Sequence, residues 1–446
     1  MRFSFLLLMA LFSGTLFAQN PFIRDQFTAD PTARVFNGKV YVFPSHDIIS
    51  PVEPERRWFA MEDYHVFSSE NLVDWTDHGV IVTQNKVPWV REDSYSMWAP
   101  DAIERNGKYY FYFPAPAKPE YGRGSMIGVA IADKPEGPYI PVDKPIAGAT
   151  GIDPCTFIDK DGQGQAYLYW CGRGMWMAKL KPNMIELDGE PQQVQGLPEG
   201  GGLKEGPFVF ERNGIYYYTY PWVKNNTTEL LYYCTANNPM GPFKDGGVIM
   251  DEWQSKCWTN HHSFVEYKKQ WYLFYHHNDY SPTFDKNRSA RIDSVTFNPD
   301  GSIQKVIPTF RGVGTTDARK EINIDRYTSI SGDDVTITFI NPKNPFEGWK
   351  TVLGKEGAQL RYNSVDFGQG SLKKAKARVY SGRGGTFTIR AGNNDKAPVI
   401  AKIDVPASGR WAVIDVKMTE TARGIHDLFV SLDGENPVHI DWISFE

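Results

Sequence analysis

The chain has 446 residues, of which 41% are hydrophobic and 14% aromatic, and its formal net charge is -5 at pH 7. This composition predicts a globular protein with sizeable cores and excludes a disordered chain. The negative charge argues against a nucleic-acid partner, and an uncharged substrate fits better.

The first 18 residues have the layout of a secretory signal peptide. Arg2 supplies a positive charge, an apolar stretch runs from Phe5 to Phe12, and small residues precede Gln19. A buried N-terminal strand or helix is the alternative. No other stretch approaches the roughly 18 uninterrupted apolar residues of a membrane helix. We therefore expect residues 1–18 to be removed, and the mature protein to be secreted or periplasmic with no membrane span.

A turn dipeptide followed by aromatic or β-branched residues recurs along the chain. Asn-Gly and Asp-Gly between such runs are typical of tight hairpins. The spacing of roughly 50 to 70 residues suits four short strands per repeat. The repeats predict a five-bladed β-propeller. The turns are Asn37-Gly38, Asn106-Gly107, Asp161-Gly162, Asn213-Gly214 and Lys269-Gln270.

Each predicted hairpin is preceded, at about the same place, by an ionisable residue. Because the innermost strand of each propeller blade lines the central channel, these side chains should converge at one end of it. For any single acid the alternative is that it caps a loop. Five ionisable positions at equivalent places in the repeats favour a shared pocket. The residues are Asp30, Asp101, Asp153, Glu205 and the pair His261-His262.

Convergent carboxylates among Trp and Tyr residues indicate sugar chemistry. Glycoside hydrolysis needs one carboxylic acid to protonate the leaving oxygen and one carboxylate to activate water or attack the anomeric carbon. Burial or a neighbouring negative charge can keep the acid protonated near neutral pH. A third carboxylate has a role as that neighbour.

Three separated motifs, Asp30-Pro31, Asp153-Pro154 and Glu205-Gly206-Pro207, give the chain a resemblance to family 43 glycoside hydrolases over about residues 20–312. The resemblance implies a five-bladed propeller that acts on arabinose- and xylose-containing polysaccharides by an inverting mechanism, without a cofactor for the chemistry. It implies that Asp30 is the general base, that Asp153 orients and tunes the acid, and that Glu205 is the general acid.

The same resemblance suggests substrate contacts. The stretch Trp98-Ala99-Pro100-Asp101 is similar to one that borders the pocket in the family, so Trp98 and Asp101 are candidate substrate-binding residues. Arg291, in RSARIDSV, matches an arginine that contacts the bound sugar. The alternative for Arg291 is a surface salt bridge.

The segment NHHSFVE is similar to a family segment whose histidine lies beside a hydrated calcium or other ion in the channel. His261 is the equivalent residue, with Asn260 where the family has glycine, and His262 is a candidate pocket-lining residue. Calcium prefers oxygen ligands, so the alternative for His261 is a hydrogen-bonded core histidine.

The chain changes character after residue 312. Residues 313–320 lack periodic apolar positions and indicate a linker, and alternating runs such as DVTITFI and GTFTIRA then predict an all-β sandwich. We expect residues 19–315 to form the propeller and residues 320–446 the second domain. The four cysteines lack the spacing of zinc sites and are expected to be core residues or one optional bridge.

The segments INIDRYTSISG, GAQLRYNSVDFG and IDWISF resemble family 6 carbohydrate-binding modules, which are jelly rolls with a structural calcium. By position, Asn323, Asp325 and Asp441 match the calcium ligands, although the family usually has glutamate in place of Asp325. Tyr362 and Trp411 are candidates for stacking on a sugar ring. Aromatic residues of a sandwich are also often core residues.

Together these features predict a secreted, inverting, exo-acting hydrolase that releases L-arabinofuranose from a plant cell-wall polysaccharide such as arabinoxylan. A β-xylosidase is the second interpretation, because the two sugars present similar hydroxyl patterns. A carbohydrate-binding propeller without catalysis is an alternative of another class. We expect a monomer.

Overall fold

The fold is built from β-strands throughout. The computed structural model describes residues 20–446 except residues 161, 254–256, 282, 333 and 345–346. The predicted signal peptide, residues 1–18, lies outside the described residues. Short 3-10 helices span Pro54–Arg56 and Gln84–Lys86. In the part of the chain that is described, no helix has the length and apolar character to cross a membrane.

Five antiparallel sheets follow one another along the first two thirds of the chain. Within each sheet the strands are paired in chain order, so neighbouring strands are also consecutive in sequence. The sheets comprise β1 Thr28–Phe36, β2 Lys39–Asp47, β3 Met61–Ser69 and β4 Thr76–Thr83; β5 Asp101–Arg105, β6 Lys108–Pro116, β7 Ser125–Ala132 and β8 Ile140–Pro141; β9 Ile152–Ile158, β10 Ala166–Gly172, β11 Gly174–Leu180 and β12 Gln192–Gln193; β13 Phe208–Arg212, β14 Ile215–Trp222, β15 Leu230–Ala236 and β16 Lys244–Met250; and β17 His262–Tyr267, β18 Gln270–His277 and β19 Ser289–Val295.

The first hairpin of most sheets turns where the sequence predicts. Asn37, Asn106 and Asn213 have φ of 50°, 54° and 53°, and the glycine after each also has positive φ. Two consecutive residues of positive φ give the turn type whose twist matches the paired strands. In the fifth sheet Lys268 and Lys269 have φ of 49° and 67°, so that turn lies one residue before the predicted one.

The first strands of the five sheets contact one another in a closed ring. β1 contacts β5, β5 contacts β9, β9 contacts β13, β13 contacts β17, and β17 contacts β1. Apolar cores lie between neighbouring sheets; Tyr64 of the first sheet packs on Phe111 of the second, and Phe210 of the fourth packs on Phe264 of the fifth. The ring brings the beginnings of the first strands to one end.

Two further sheets enclose a separate core in the last third of the chain. Residues from both sheets, among them Leu360, Phe387, Val379 and Ile440, form one buried cluster. The sheet orders are β20-β24-β29-β26-β27, with β21 also paired to β24, and β22-β23-β30-β25-β28. The strands are β20 Thr316–Asp317, β21 Ser329–Ser331, β22 Val335–Phe339, β23 Trp349–Leu353, β24 Gln359–Asp366, β25 Lys374–Tyr380, β26 Gly385–Gly392, β27 Val399–Val405, β28 Ala412–Lys417, β29 Ile425–Asp433 and β30 Val438–Phe445.

The predicted linker, residues 313–320, is structured. Strand β20 pairs in parallel with β24, and Ala318 is fully buried in the core of the second domain. The Nε of Arg311 donates to the Asn363 carbonyl. The second domain therefore begins before residue 320, and the chain enters it without a free connecting segment.

The cysteines are core residues. Cys155, Cys171, Cys234 and Cys257 are all buried and free, so the optional bridge is absent.

Candidate active site

A pocket of about 210 Å³ opens where the first strands of the five sheets begin. It contains the three predicted carboxylates, an arginine, a histidine and an aromatic wall. The pocket is lined by Asp30, Trp58, Phe59, Met61, Trp98, Ala99, Ile152, Asp153, Leu203, Glu205, Trp258, Thr259, Asn260, His261 and Arg288.

Two of the carboxylates lie at irregularities of their strands. Asp30 and Asp153 have φ of 49° and 57°, a region that residues other than glycine rarely adopt. The pairing of β1 with β2 shifts between Ala29 and Thr32, and the pairing of β9 with β10 also shifts beside Asp153. Bulges of this kind re-aim side chains and occur next to active sites. Here they accompany two acids that line the pocket.

Asp30 is held in the ionised form by its neighbours. Its Oδ1 lies 3.0 Å from Nη1 of Arg288, and its Oδ2 accepts a 2.5 Å hydrogen bond from the Ser45 hydroxyl. Burial raises the pKa of Asp30, but Arg288, His261, His276 and the Ser45 hydrogen bond outweigh burial and bring the pKa to about 2. The carboxylate is therefore negative across the physiological range.

Arg288 is fixed by a second acid. Its Nε and Nη2 each donate to Asp47 at 2.9 Å, and the Asp47 carboxylate also accepts the backbone N–H of Arg288 at 2.8 Å. All three residues of the Asp30–Arg288–Asp47 network are buried. A bidentate guanidinium–carboxylate pair fixes orientation as well as charge.

The prediction that Arg291 contacts the substrate is wrong. Arg291 is fully buried outside the pocket, where it ion-pairs with Asp279 and lies over Phe310. The pocket arginine is Arg288, three positions earlier. In an extended chain an odd spacing places two side chains on opposite faces, which separates these two arginines.

Glu205 precedes β13 and is followed by a glycine that the site requires. Gly206 has φ of +50°, and a Cβ there would lie 2.8 Å from Nδ1 of His261 and 3.0 Å from Cδ of Pro221. The N–H of Gly206 donates to Oδ2 of Asp153 at 2.9 Å. The hydrogen bond ties Asp153 to the backbone that carries Glu205.

The pKa values of Asp153 and Glu205 are raised well above their usual ranges. For Asp153 the causes are burial, then the charges of Glu205 and Asp30. For Glu205, which is partly exposed to the pocket, the causes are burial, then Glu229, then Asp30. Asp153 and Glu205 therefore favour their protonated forms, whereas Asp30 is ionised.

Glu229 is a fourth carboxylate that sequence reasoning missed. It immediately precedes β15, is 1% exposed, and accepts the backbone N–H of Asn260 at 2.7 Å. Burial raises the pKa of Glu229 to about 8. No turn motif marks it; the available signal was a charged residue directly before the apolar run Leu230–Leu231.

Of the other two residues predicted from the stretch 98–101, Trp98 lines the pocket and Asp101 does not. Trp98 lines the pocket, and its carbonyl accepts the Tyr64 hydroxyl at 2.6 Å. Asp101 does not line it: this carboxylate is buried against Arg34 and accepts hydrogen bonds from the N–H and hydroxyl of Thr156. The prediction of Asp101 as a substrate contact is wrong, because its oxygens join neighbouring first strands.

The two histidines also separate. His262 is buried beside Phe208 and Phe264, and its Nε2 is 2.6 Å from the Thr219 hydroxyl, so it does not line the pocket as predicted. His261 does line it, and burial lowers its pKa, which leaves a neutral ring. Oδ1 of Asn260 is buried, has no hydrogen-bond partner among the residues that the structure describes, and belongs to the same wall. The amide oxygen suits a hydrated cation such as calcium, and the neutral imidazole beside it adds no positive charge that would oppose one.

In the second domain, Tyr362 is a core residue and not a stacking platform. It is fully buried, its hydroxyl is 2.9 Å from the Thr316 hydroxyl, and the Arg311 guanidinium lies 4.6 Å from its ring centre. Trp411 is partly exposed and packs against Tyr380 and Arg378. Trp411 therefore remains the candidate for sugar stacking.

The predicted calcium ligands of the second domain are already faced by guanidinium groups. Nη1 of Arg24 donates to Oδ1 of Asn323 at 3.2 Å, and Arg378 ion-pairs with Asp441. Burial raises the pKa of Asp325 to about 8. Calcium takes about 6 to 8 oxygen ligands. Guanidinium groups therefore lie at two of the three predicted donors, and a structural calcium in the second domain stays a prediction.

Two known families match the chain. Residues 18–303 match the family described as Glycosyl hydrolases family 43, and residues 328–446 match the family described as Carbohydrate binding module (family 6). The matches fall on the five-sheet region and on the two-sheet region, respectively.

Individual relatives are similar over one or both regions. A xylosidase/arabinosidase 43A of Humicola insolens is 36% identical, over 64% of this chain and 98% of that protein. An arabinoxylan arabinofuranohydrolase of Bacillus subtilis is 28% identical, over 93% of this chain and 89% of that protein. Among solved structures, a beta-xylosidase/alpha-arabinofuranosidase from a compost microbial metagenome, in complex with xylotriose and in a calcium-free form, is 33% identical with a TM-score of 0.57, covering 65% of this chain and 97% of that one.

Proposed function

The chain belongs to family 43 of the glycosyl hydrolases and is a glycoside hydrolase of the arabinofuranosidase or xylosidase type, and from this premise we propose that it is an inverting, exo-acting enzyme that removes single L-arabinofuranose residues from arabinoxylan. We further infer that the five-sheet ring is a five-bladed propeller and that the second domain is a jelly roll.

The observation that carries the proposal is the opposed protonation of two carboxylates in one pocket. Asp30 has a pKa of about 2, whereas the pKa of Glu205 is raised well above its usual range. A pair of acids whose environments push their pKa values apart supplies a base and an acid at the same pH. Inverting and retaining glycosidases both need such a pair, so the pair supports hydrolysis, and the inverting outcome is proposed from the resemblance to the family.

In the proposed reaction Asp30 accepts a proton from a water that attacks the anomeric carbon. The C–O bond to the leaving sugar breaks as Glu205 donates its proton to the glycosidic oxygen. Asp153 contacts the Gly206 N–H and is a positioning residue for Glu205. Arg288 keeps Asp30 charged and holds it in place.

The size of the pocket supports exo action. Ligand sites for drug-sized molecules span roughly 300–1,000 Å³, and this pocket of about 210 Å³ is smaller. One pentose fits such a volume better than several. Phe59 and Trp98 offer apolar faces for the sugar ring.

The choice of arabinofuranose rests on a relative that spans nearly the whole chain. The Bacillus subtilis protein, named arabinoxylan arabinofuranohydrolase, aligns with 93% of this chain. A β-xylosidase is the second candidate, favoured by the higher identity, 36%, of a protein named xylosidase/arabinosidase. The comparisons give no support to a propeller without catalysis.

We also propose that the enzyme is exported as a monomer and that its second domain binds polysaccharide, with Trp411 as a stacking residue. A hydrated calcium would be held at His261 and Oδ1 of Asn260. When bound, it would supply positive charge beside the acids.

The proposal is tested with 4-nitrophenyl α-L-arabinofuranoside and β-D-xyloside beside polymeric arabinoxylan. We expect release of arabinose from the polymer and a larger kcat/KM on the arabinofuranoside, with proton NMR showing inverted configuration in the first product formed. A larger kcat/KM on the xyloside would select the second candidate, and retained configuration would overturn the assigned mechanism.

The roles of Asp30 and Glu205 are tested by conservative amides. Glu205→Gln and Asp30→Asn should each lower kcat by ~10² to 10⁴, the usual contribution of a general acid or base. Glu205→Gln should lose less activity on aryl glycosides with good leaving groups, which need little protonation. Equal losses of the Glu205→Gln variant on good and poor leaving groups would contradict the acid assignment.

A further inference from the structure

Two histidines and two aspartates converge on the first sheet, outside the active-site pocket. His46 lies on β2, Asp63 and His65 on β3, and Asp77 on β4. Ligand atoms of His46, Asp63 and His65 all lie within 4.8 Å of one another. Within the described part of the chain, this is the one grouping of three His, Cys, Asp or Glu residues with that spacing.

The strands are distorted where the histidines lie. The pairing of β2 with β3 shifts between Ser45 and Asp47, on either side of His46. The pairing of β3 with β4 shifts on both sides of His65. A bulge turns a side chain away from its regular direction. His46 contacts Asp63 of the neighbouring strand, and Asp63 and His65 lie on one face of β3 because they are two residues apart. The pairing is irregular at both histidines.

Carboxylates hold both rings. Nδ1 of His46 is 2.8 Å from Oδ1 of Asp63, and Nδ1 of His65 is 3.1 Å from both oxygens of Asp77. A histidine whose Nδ1–H is bonded to a carboxylate presents the lone pair of Nε2, which is the usual arrangement of metal-binding histidines. Asp77 therefore fixes the ring and the tautomer of His65.

The spacing of the rings fits one tetrahedral ion. Zinc–nitrogen bonds of about 2.0–2.1 Å place the centres of two bound imidazoles roughly 5 Å apart. The rings of His46 and His65 are 5.5 Å apart, with an interplanar angle of 77°. Neighbouring donors around such an ion are about 3.3 Å apart. His65 would bind through Nε2, whereas His46 would bind through Nδ1, whose 2.8 Å contact with Oδ1 of Asp63 would open to that distance.

Two independent ion pairs are the simpler explanation of these contacts. Such pairs stabilise a fold only weakly, and they do not require the two imidazoles to lie 5.5 Å apart. The side chains of His46, Asp63 and His65 are 24%, 10% and 15% exposed, so the cluster is shielded yet reachable from solvent.

We propose that His46, Asp63 and His65 bind one divalent transition-metal ion, Zn²⁺, with water as the fourth ligand and Asp77 as the partner that orients His65. Imidazole nitrogen with carboxylate oxygen is a donor set suited to zinc and unlike the oxygen-only sets of calcium. The site is separate from His261 and its pocket.

Its place in the chain gives the ion a structural role. His46 stands between Ser45, which bonds to Asp30, and Asp47, which bonds to Arg288. An ion that joins β2 to β3 would brace the segment that supports the general base. Because zinc would bind the folded state, it would raise the melting temperature.

The test is isothermal titration calorimetry of the metal-stripped full chain with ZnCl₂, with Co²⁺ absorption as a probe of tetrahedral coordination. We expect one high-affinity zinc per chain and a zinc-dependent rise in melting temperature. His46→Ala and His65→Ala should abolish both, and Asp77→Asn should weaken binding by roughly 10- to 100-fold, as loss of an orienting partner does. Circular dichroism without zinc confirms that each variant is folded.

His78→Ala is the matched control, because His78 is exposed on β4 and its Nε2 bonds to the Ser68 hydroxyl. It should bind zinc as the wild type does. The proposal is overturned if the wild type takes up no zinc, or if folded His46→Ala and His65→Ala bind it with wild-type affinity. His65→Gln replaces His65→Ala if the alanine variant does not fold.

Discussion

At the scale of single residues, Asp30 and Glu205 differ because their neighbours differ in charge. Asp30 faces Arg288 and accepts a hydrogen bond from Ser45, whereas Glu205 faces Glu229. Since the folded-state pKa of Asp30, about 2, lies below its ordinary value of 3.8, its ionised form stabilises the fold at neutral pH. That stabilisation is complete above the ordinary value and is lost as pH falls through 2.

Glu229→Gln should shift the basic limb of the pH–rate profile to lower pH. The charge of Glu229 raises the pKa of Glu205, and activity falls as pH rises through the pKa of the general acid. Glu252→Gln is the matched control, since Glu252 bonds to Thr227 and Asn225 of the same loop. A pH–rate profile of each variant measures the shift, and an unmoved basic limb in Glu229→Gln would contradict this role.

Arg288→Gln should shift the acid limb to higher pH. Removing the guanidinium raises the pKa of Asp30, and activity falls as pH drops through the pKa of the base. The variant should also lose about 3–5 kcal/mol of unfolding free energy, because buried acids lose their partner. Arg291→Gln is the control, because it removes another buried arginine. This variant should be less stable, but the acid limb of its pH–rate profile should match that of the wild type. Identical profiles of both variants would show that Arg288 does not tune the base.

At the scale of elements, the sequence reveals the turns and the charged residues before the first strands, but it does not reveal which way a side chain faces. The Asn-Gly turns and the acids before the first strands follow from residue chemistry, and the structure brings Asp30, Asp153 and Glu205 into one pocket. The bulges beside Asp30 and Asp153 leave no motif of their own. A register shift of one residue reverses the face of a side chain.

The same limit explains the errors. The resemblance points to Arg291, whereas Arg288 lines the pocket; both lie in one short segment, and only the packing decides which one enters the pocket. Asp101 occupies the predicted place in its strand, but Arg34 and Thr156 bind its oxygens. Glu229 acts from a loop of another hairpin, a proximity that depends on the closed ring.

Gly206→Ala should lower both stability and kcat. Its φ of +50° strains any side chain, and the new Cβ would approach the His261 ring, which lines the pocket. Strain of this kind costs on the order of 1–3 kcal/mol. Gly214→Ala is the control, with φ of +80° and nothing within 4 Å of a Cβ. Thermal unfolding and kcat should separate the two: a Gly206→Ala variant with wild-type kcat would show that the contact with His261 is unimportant.

At the scale of the whole molecule, the two domains are joined by side chains on both sides. Nη1 of Arg326 donates to the Pro21 carbonyl, Arg24 donates to Asn323, and the rings of Tyr280 and Trp349 are 5.8 Å apart. Arg326 is 1% exposed although it lies between domains. The second domain therefore covers part of the first.

Removing residues 316–446 should reduce action on insoluble polysaccharide more than action on small glycosides. A tethered module raises the effective concentration of substrate without altering the chemistry. The truncated chain should also melt at a lower temperature, because its interface residues become exposed. Assays at 25 °C on both substrates, beside thermal unfolding, test this expectation, and equal losses on both by a folded chain would show that the domain completes the active site.

The closed ring has a consequence for how the chain acquires its structure. The hydroxyl of Ser263 accepts the N–H of Ala33, 230 residues away in sequence, and Phe22 packs with Phe274 in a core shared by the first and last sheets. Contacts of such long separation make folding slow. The first sheet cannot bury that core until the fifth has been synthesised, so a nascent chain that stops inside the ring leaves apolar surface uncovered and prone to aggregate.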